Sequence, residues 1–232
     1  MKNLKCILFS LFIALSLPAC ESISDDDDKT NADGLPTIHY LALGASDATG
    51  IGALPLSRGY VFRIKDGLQD RNRKVRLVNL GIPTANVSAI EKTALAAIAA
   101  GTKKDLVTLW TGANDVIGGD DVVSFEKSLD NILHNLRQDT GAFIVIMNLP
   151  DLTQIKRFRE DPDKHVTPQR VAVFNQAITR QAQKYNVPLV DFFKDSPGDM
   201  LVSKADGFHP NNNGHQRIAD LYLQFILPRF GL

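Results

Sequence analysis

Strand-like and helix-like segments alternate five times along this chain, and few folds accept that alternation. Tyr40 to Leu43 fills consecutive positions with aromatic and aliphatic side chains and stops at Gly44, the mark of a buried strand. Gly59 to Arg71 follows as an amphipathic helix with Val61, Phe62, Ile64 and Leu68 near helical spacing. Val75 to Leu80 reads as a second strand, and Val87 to Ala100 as an alanine-rich helix closed by Gly101. Asp105 to Trp110 is the third strand. Val122 to Gln138 then sets Val122, Phe125, Leu129, Ile132, Leu133 and Leu136 on one helical stripe. Ala142 to Met147 is nearly all apolar, as a strand covered on both faces must be. A helix from Val171 to Tyr185, entered through Thr167-Pro168, a strand from Val187 to Phe193 and a helix from Gly214 to Phe225 complete the series. The pattern predicts an α/β fold: a three-layer α/β/α sandwich around a mainly parallel five-stranded sheet. The order of the strands does not follow from it.

Ahead of this domain stands a leader. Lys2 and Lys5 precede the apolar run Cys6 to Leu17, which is too short to span a bilayer and is built like a secretory signal. It ends in Leu17-Pro18-Ala19-Cys20, which resembles a bacterial lipobox. Residues 1–19 are therefore expected to be a lipoprotein signal peptide, with Cys20 carrying lipid and anchoring the protein to the cell envelope; a plain secretory signal is the alternative. With Cys6 removed and Cys20 lipidated, no disulfide remains to form. Residues 20–35 read as an acidic, flexible tether. Asp25-Asp26-Asp27-Asp28-Lys29 also resembles an engineered protease-cleavage tag, and it lacks the spaced ligands of a calcium loop. Residues 36–232 suffice for one domain with its own core. The 26 basic and 26 acidic side chains cancel, so nothing suggests a nucleic-acid surface.

Chemistry-bearing residues gather where the strands end. In open α/β sheets ligands bind outside the carboxyl ends of the strands. Ser46 follows the first strand in Leu43-Gly44-Ala45-Ser46-Asp47 and is a candidate nucleophile, although a serine there also suits a helix cap or turn. Gly81 follows the second strand, either as a turn residue or as a point where a backbone N–H approaches a ligand. Asn114 follows the third, either as a cap or as an amide donor to an oxyanion. Near the end, Asp206-Gly207-Phe208-His209-Pro210 sets an acid and a base three apart in one loop, able to meet Ser46 together.

These four blocks, in this order, resemble the SGNH hydrolases, also called GDSL esterases and lipases, over about Tyr40 to Leu227. The resemblance implies the SGNH/flavodoxin-like sandwich, with Ser46 as nucleophile and Asp206 and His209 as acid and base. It also implies an oxyanion hole from Ser46, Gly81 and Asn114. No cofactor is implied. One position departs: the family's Gly-Asp-Ser is Gly44-Ala45-Ser46 here. The missing Asp is not a triad member, so the departure bears on how the nucleophile turn is braced. Asp47 is a partial substitute at most, one position along.

Among the other histidines, His39 lies in the first strand, His134 on a helix and His165 in a polar loop. His215 is the one rival base, and a metal site from Asp206, His209 and His215 is the lesser reading. Asp151 to Pro168 reads as a long polar connection, either covering an acyl pocket or solvated. Ile82, Pro83, Val116, Ile117 and Phe208 flank the catalytic positions as a candidate apolar wall. The expected function is serine-dependent hydrolysis of lipid or small acyl esters at the bacterial envelope. The alternatives are an O-deacetylase of envelope polysaccharide and a binding lipoprotein without turnover.

Overall fold

The computed structural model describes residues 34–195, 198 and 201–232. The signal segment, Cys20 and nearly all of the tether lie outside these residues. No helix among the described residues is long and apolar enough to cross a membrane.

Five parallel strands form one sheet: β1 (Ile38–Gly44), β2 (Val75–Gly81), β3 (Leu106–Trp110), β4 (Phe143–Met147) and β5 (Leu189–Val190), in the order β2-β1-β3-β4-β5. Successive side chains of a strand point to opposite faces. Ile38, Tyr40 and Ala42 of β1, with Leu106 and Trp110 of β3, pack on α2 (Tyr60–Gln69) and α8 (Asn212–Arg229). Leu41, Leu43, Val107 and Leu109 face the other way, toward α3 (Val87–Ala99), α5 (Val122–Asp139) and α7 (Pro168–Tyr185). The one polar side chain buried within β3, Thr108, meets the Tyr40 hydroxyl at 2.8 Å. Both layers and the whole sheet thus lie within the described segment.

The helix starts follow from side-chain caps. Asn86 accepts from the Ala89 N–H, Asp121 from Ser124, Thr167 from Arg170, and Asn211 from Asn213 and Gly214. Each satisfies an N–H that the helix itself leaves orphaned.

Two segments differ from the sequence expectation. The fifth strand is two residues long, where Val187 to Phe193 was expected. Pro188 has no N–H to donate, and Asp191 bends the chain away by accepting from Asn148 Nδ2 at 2.8 Å and from the Lys194 N–H at 3.2 Å. For the Asp151–Pro168 connection, open between a pocket lining and a solvated loop, it is the solvated reading that differs. It holds a short 3₁₀ turn (Leu152–Gln154) and α6 (Lys156–Glu160), and Leu152, Ile155 and Phe158 are buried in the core.

The chain runs from β1 to β2 on one side and returns to place β3 on the other. That reversal leaves a crevice at the carboxyl ends of β1 and β3.

Candidate active site

Ser46 stands in that crevice. β1 ends at Gly44, where any Cβ would lie 2.9 Å from the Trp110 carbonyl oxygen and 3.0 Å from the Ala48 Cβ. Only glycine lets the strand turn so close to β3. The chain then makes the single helical turn α1 (Ser46–Thr49) and leaves it through Gly50 at φ 90°. The Thr49 hydroxyl and the Ile51 N–H both donate to the Ser46 carbonyl, at 2.7 and 3.1 Å. Asn79, on β2, donates to the Ala48 carbonyl at 2.7 Å and so ties α1 to the neighbouring strand.

The loop ahead of α8 brings the other two groups. Asp206 accepts the N–H groups of Phe208 and His209 on one oxygen, at 2.9 and 3.1 Å, and meets His209 Nδ1 with the other at 2.6 Å. Burial opposes the Asp206 charge, but these donors outweigh it and hold the carboxyl below its usual range. A carboxylate only accepts, so Nδ1 carries the ring proton and Nε2 presents a lone pair. Ser46 Oγ lies 2.9 Å from that Nε2. Ser46, His209 and Asp206 thus form a continuous chain of hydrogen bonds. The loop is fastened from outside. The Arg157 N–H of α6 donates to the Gly207 carbonyl at 3.0 Å, and Gly207 takes φ 64°.

Asn114 lies in α4 (Ala113–Gly118) and lines the same cleft as Ser46, with Trp110, Gly112 and Phe208. It is not a helix cap: Gly112 holds that position. One hydrogen of its amide goes to the Ala85 carbonyl at 2.9 Å, which leaves the second. Gly81 departs from expectation. Its N–H already donates to Asn79 Oδ1 at 3.0 Å. What the position requires is smallness, since a Cβ would sit 2.8 Å from the Thr49 N.

A family model described as "GDSL-like Lipase/Acylhydrolase family" matches residues 42–217. The chain belongs to this family. Its members are carboxylic ester hydrolases, and so is this protein. No curated protein sequence matches the chain. Among solved structures, a lipase/acylhydrolase from Enterococcus faecalis is similar at TM-score 0.69 and 21% identity, over 83% of this chain and 97% of that one. The psychrotrophic esterase EstA from Pseudoalteromonas sp., in a form inhibited by monoethylphosphonate, is similar at 0.67 and 19%, over 84% and 99%. An acetyl xylan esterase from Geobacillus stearothermophilus is similar at 0.63 and 21%, over 81% and 93%. At these identities the likeness shows a shared fold.

Against the usual GDSL turn, Ala45 gives α1 no side-chain cap. Asp47 does not replace it there. It lines an inner cavity of about 30 Å³ with Trp110, Leu152, Ile155, Phe192 and Phe208, room for about two water molecules. The cleft at Ser46 and this cavity share Asp47, Trp110, Ala113 and Phe208, so they are neighbouring compartments. Burial pushes the Asp47 carboxyl up to about 6, against the pull of nearby His209. Of the expected apolar wall, Phe208 lines both compartments, whereas Val116 is wholly in the core and Ile82 and Ile117 pack against it.

The rival base is accounted for by packing. His215 is 0% exposed, accepts the Tyr60 N–H at Nδ1 (3.2 Å) and donates from Nε2 to the Ile51 carbonyl (3.0 Å). Burial lowers its pKa to about 4, so it stays neutral and pins the loop after α1. His39 is held by Asp105 at 2.9 Å.

Two features escaped the sequence reading. Asp115, next to Asn114, is buried and accepts the Val87 N–H on both oxygens, at 3.0 and 3.1 Å, so it joins the start of α3 to α4. Arg170 crosses from α7 to donate to the carbonyls of Asp115, Val116 and Asp120. The run Gly112-Ala113-Asn114-Asp115, with an acid directly after the amide, was the available signal for Asp115; nothing marked Arg170.

Proposed function

We propose that the protein hydrolyses carboxylic esters through an acyl-enzyme on Ser46. The observation that carries this reading is the unbroken path Ser46 Oγ–His209 Nε2, His209 Nδ1–Asp206, at 2.9 and 2.6 Å. In the first step Ser46 Oγ attacks the ester carbonyl carbon and passes its proton to His209 Nε2. Asp206 keeps the ring in its working tautomer and offsets the imidazolium charge. The oxyanion is held by the Ser46 N–H and the free hydrogen of Asn114 Nδ2. The third donor expected there, the Gly81 N–H, is turned to Asn79 Oδ1 at 3.0 Å in this structure, while Asn114 is steadied by the Ala85 carbonyl. The intermediate collapses as His209 gives its proton to the departing alkoxide. Water, activated by the same ring, then frees the acid and restores Ser46.

The substrate reading is a lipid or small acyl ester at the bacterial cell envelope, reached by a protein anchored through lipidated Cys20. Lys2, Lys5, the apolar run to Leu17 and the Leu17-Pro18-Ala19-Cys20 ending support that location. A second reading, removal of acetyl groups from envelope polysaccharide, is favoured by the small volume of the inner cavity.

Turnover of p-nitrophenyl esters of graded chain length, measured for residues 34–232 beside Ser46→Ala, tests the reaction. Hydrolysis that vanishes in the variant, with fluorophosphonate labelling of the native protein alone, is the expected result. A folded protein that neither turns over nor takes the label rules out the acyl-enzyme.

A further inference from the structure

Leu54, Pro55 and Leu56 stand in solvent on the site's own face of the molecule. Leu54 is 79% and Leu56 54% exposed, and Pro55 between them is exposed too. Exposed leucines in a loose loop would mean little. These are held rigidly. The Asn212 side chain clamps the Leu54 backbone from both sides, accepting its N–H at 2.9 Å and donating to its carbonyl at 3.0 Å. Behind the tip, Gly50 and Gly52 pack without room for a Cβ. One would lie 2.3 Å from the Leu56 oxygen, and the other 2.2 Å from the Pro210 oxygen and 2.9 Å from the His209 Cβ. The segment from Gly50 to Leu56 is thus seated on the backbone that carries the base.

Cationic side chains flank the tip. Arg58 follows it and is exposed. Lys204 lines a surface groove with Leu54. On α6, which fastens the loop of His209, exposed Arg157 leans over the Phe208 ring at 5.8 Å. A rigid apolar tip among cations matches an anionic lipid surface: the leucines enter the acyl boundary while the basic groups meet the headgroups.

We propose that Leu54-Pro55-Leu56 docks the mouth of the site on an anionic lipid surface, so that the substrates are esters presented there. This deepens the esterase reading and rests on it for its purpose; the docking itself is measured without turnover.

The test is flotation of residues 34–232, which hold the complete sheet and both packed layers, with vesicles of equal parts phosphatidylcholine and phosphatidylglycerol. Leu54→Ser/Leu56→Ser is compared with the unsubstituted segment, and each is also assayed on a water-soluble butyrate ester. The unsubstituted segment should float with the vesicles. The double variant should bind at least about tenfold more weakly, with soluble-ester hydrolysis within about twofold. Vesicles of phosphatidylcholine alone should bind severalfold less. Absence of flotation, equal flotation of the two proteins, or a loss of soluble-ester hydrolysis matching the loss of binding would each overturn the proposal; the last would make the tip a wall of the site. Failure of both proteins on the soluble ester strikes the catalytic reading instead, and flotation still decides docking.

Discussion

Asn114 and Asp115 divide one task between neighbours. Asn114 keeps one amide hydrogen for the cleft and spends the other on Ala85, while Asp115 turns inward to the start of α3. Asn114→Ala should therefore keep the fold and lose about 10²- to 10³-fold in kcat, the usual effect of removing one oxyanion donor. Circular dichroism with steady-state kinetics checks both halves; full activity would remove Asn114 from the mechanism. Asp47 makes a different prediction. Its folded-state carboxyl is raised to about 6, above the ordinary value near 4, so the folded protein holds that proton more tightly than the unfolded chain. The associated stability is complete below about pH 4 and is lost as pH rises through about 6. Asp47→Asn should accordingly gain on the native protein as pH goes from 4 to 7, by about 1–2 kcal/mol after allowing for solvent contact. Denaturant melts across that range measure it, and a constant difference would mean that Asp47 titrates normally. At this scale the sequence was legible where chemistry needs a particular side chain: Ser46, His209 and Asp206 join in one chain of hydrogen bonds, and Asn114 lines the cleft with Ser46. It was not legible for Gly81, because the direction of a backbone N–H depends on which acceptor wins, and Asn79 lies only two residues away.

Among the elements, α1 depends most on its neighbours. It is a single turn, too short to hold itself, and is fixed by Thr49, Ile51 and Asn79. Gly81 presses on it without space to spare, against backbone atoms that cannot rotate away. Gly81→Ala should then push α1 and displace Ser46 from His209. A loss of about tenfold or more in kcat is expected beside a modest fall in melting temperature, since a misplacement near 1 Å costs far more in rate than in stability. Native kinetics in this variant would show that α1 has slack. Asp115→Ala works from the other side of the cleft. It leaves the Val87 N–H without its buried acceptor and removes the tie between α3 and α4, with an expected cost of about 1–3 kcal/mol in denaturant unfolding. Element types followed from periodicity, but two lengths did not. Pro188 and Asp191 cut β5 short through hydrogen bonds, which hydrophobic patterning does not record. Among the charges of residues 151–168, Leu152, Ile155 and Phe158 pack inward at a three-residue spacing too brief to stand out as a helical stripe.

For the whole molecule, the alternation of strand and helix in the sequence fixes the class, while the strand order decides where the site lies. Placing β1 between β2 and β3 opens the crevice at Ser46, and the short last strand leaves residues 201–210 to cover it from the β5 side. The inner cavity is bounded by that segment, by the end of β3 and the stretch after β4, and by Asp47, Phe192 and Gly214, so its size is set by several parts of the fold at once. Phe208 is the piece they share with the cleft. Its ring stands edge-on to Phe158 at 5.6 Å and to His209 at 4.8 Å, between Ser46 and the cavity behind. Trimming it should merge the two compartments without touching the triad's own bonds, which run through the backbone and through Asp206. Phe208→Ala is thus expected to move the preferred acyl chain upward by several carbons and to raise kcat/KM on the longer p-nitrophenyl esters, while butyrate hydrolysis falls. Because large-to-small changes at a half-buried ring can also loosen packing, Phe208→Leu serves as the intermediate case and should shift the profile less. A profile unchanged in both variants, with melting temperatures preserved, would place the acyl chain outside this cavity, along the open mouth.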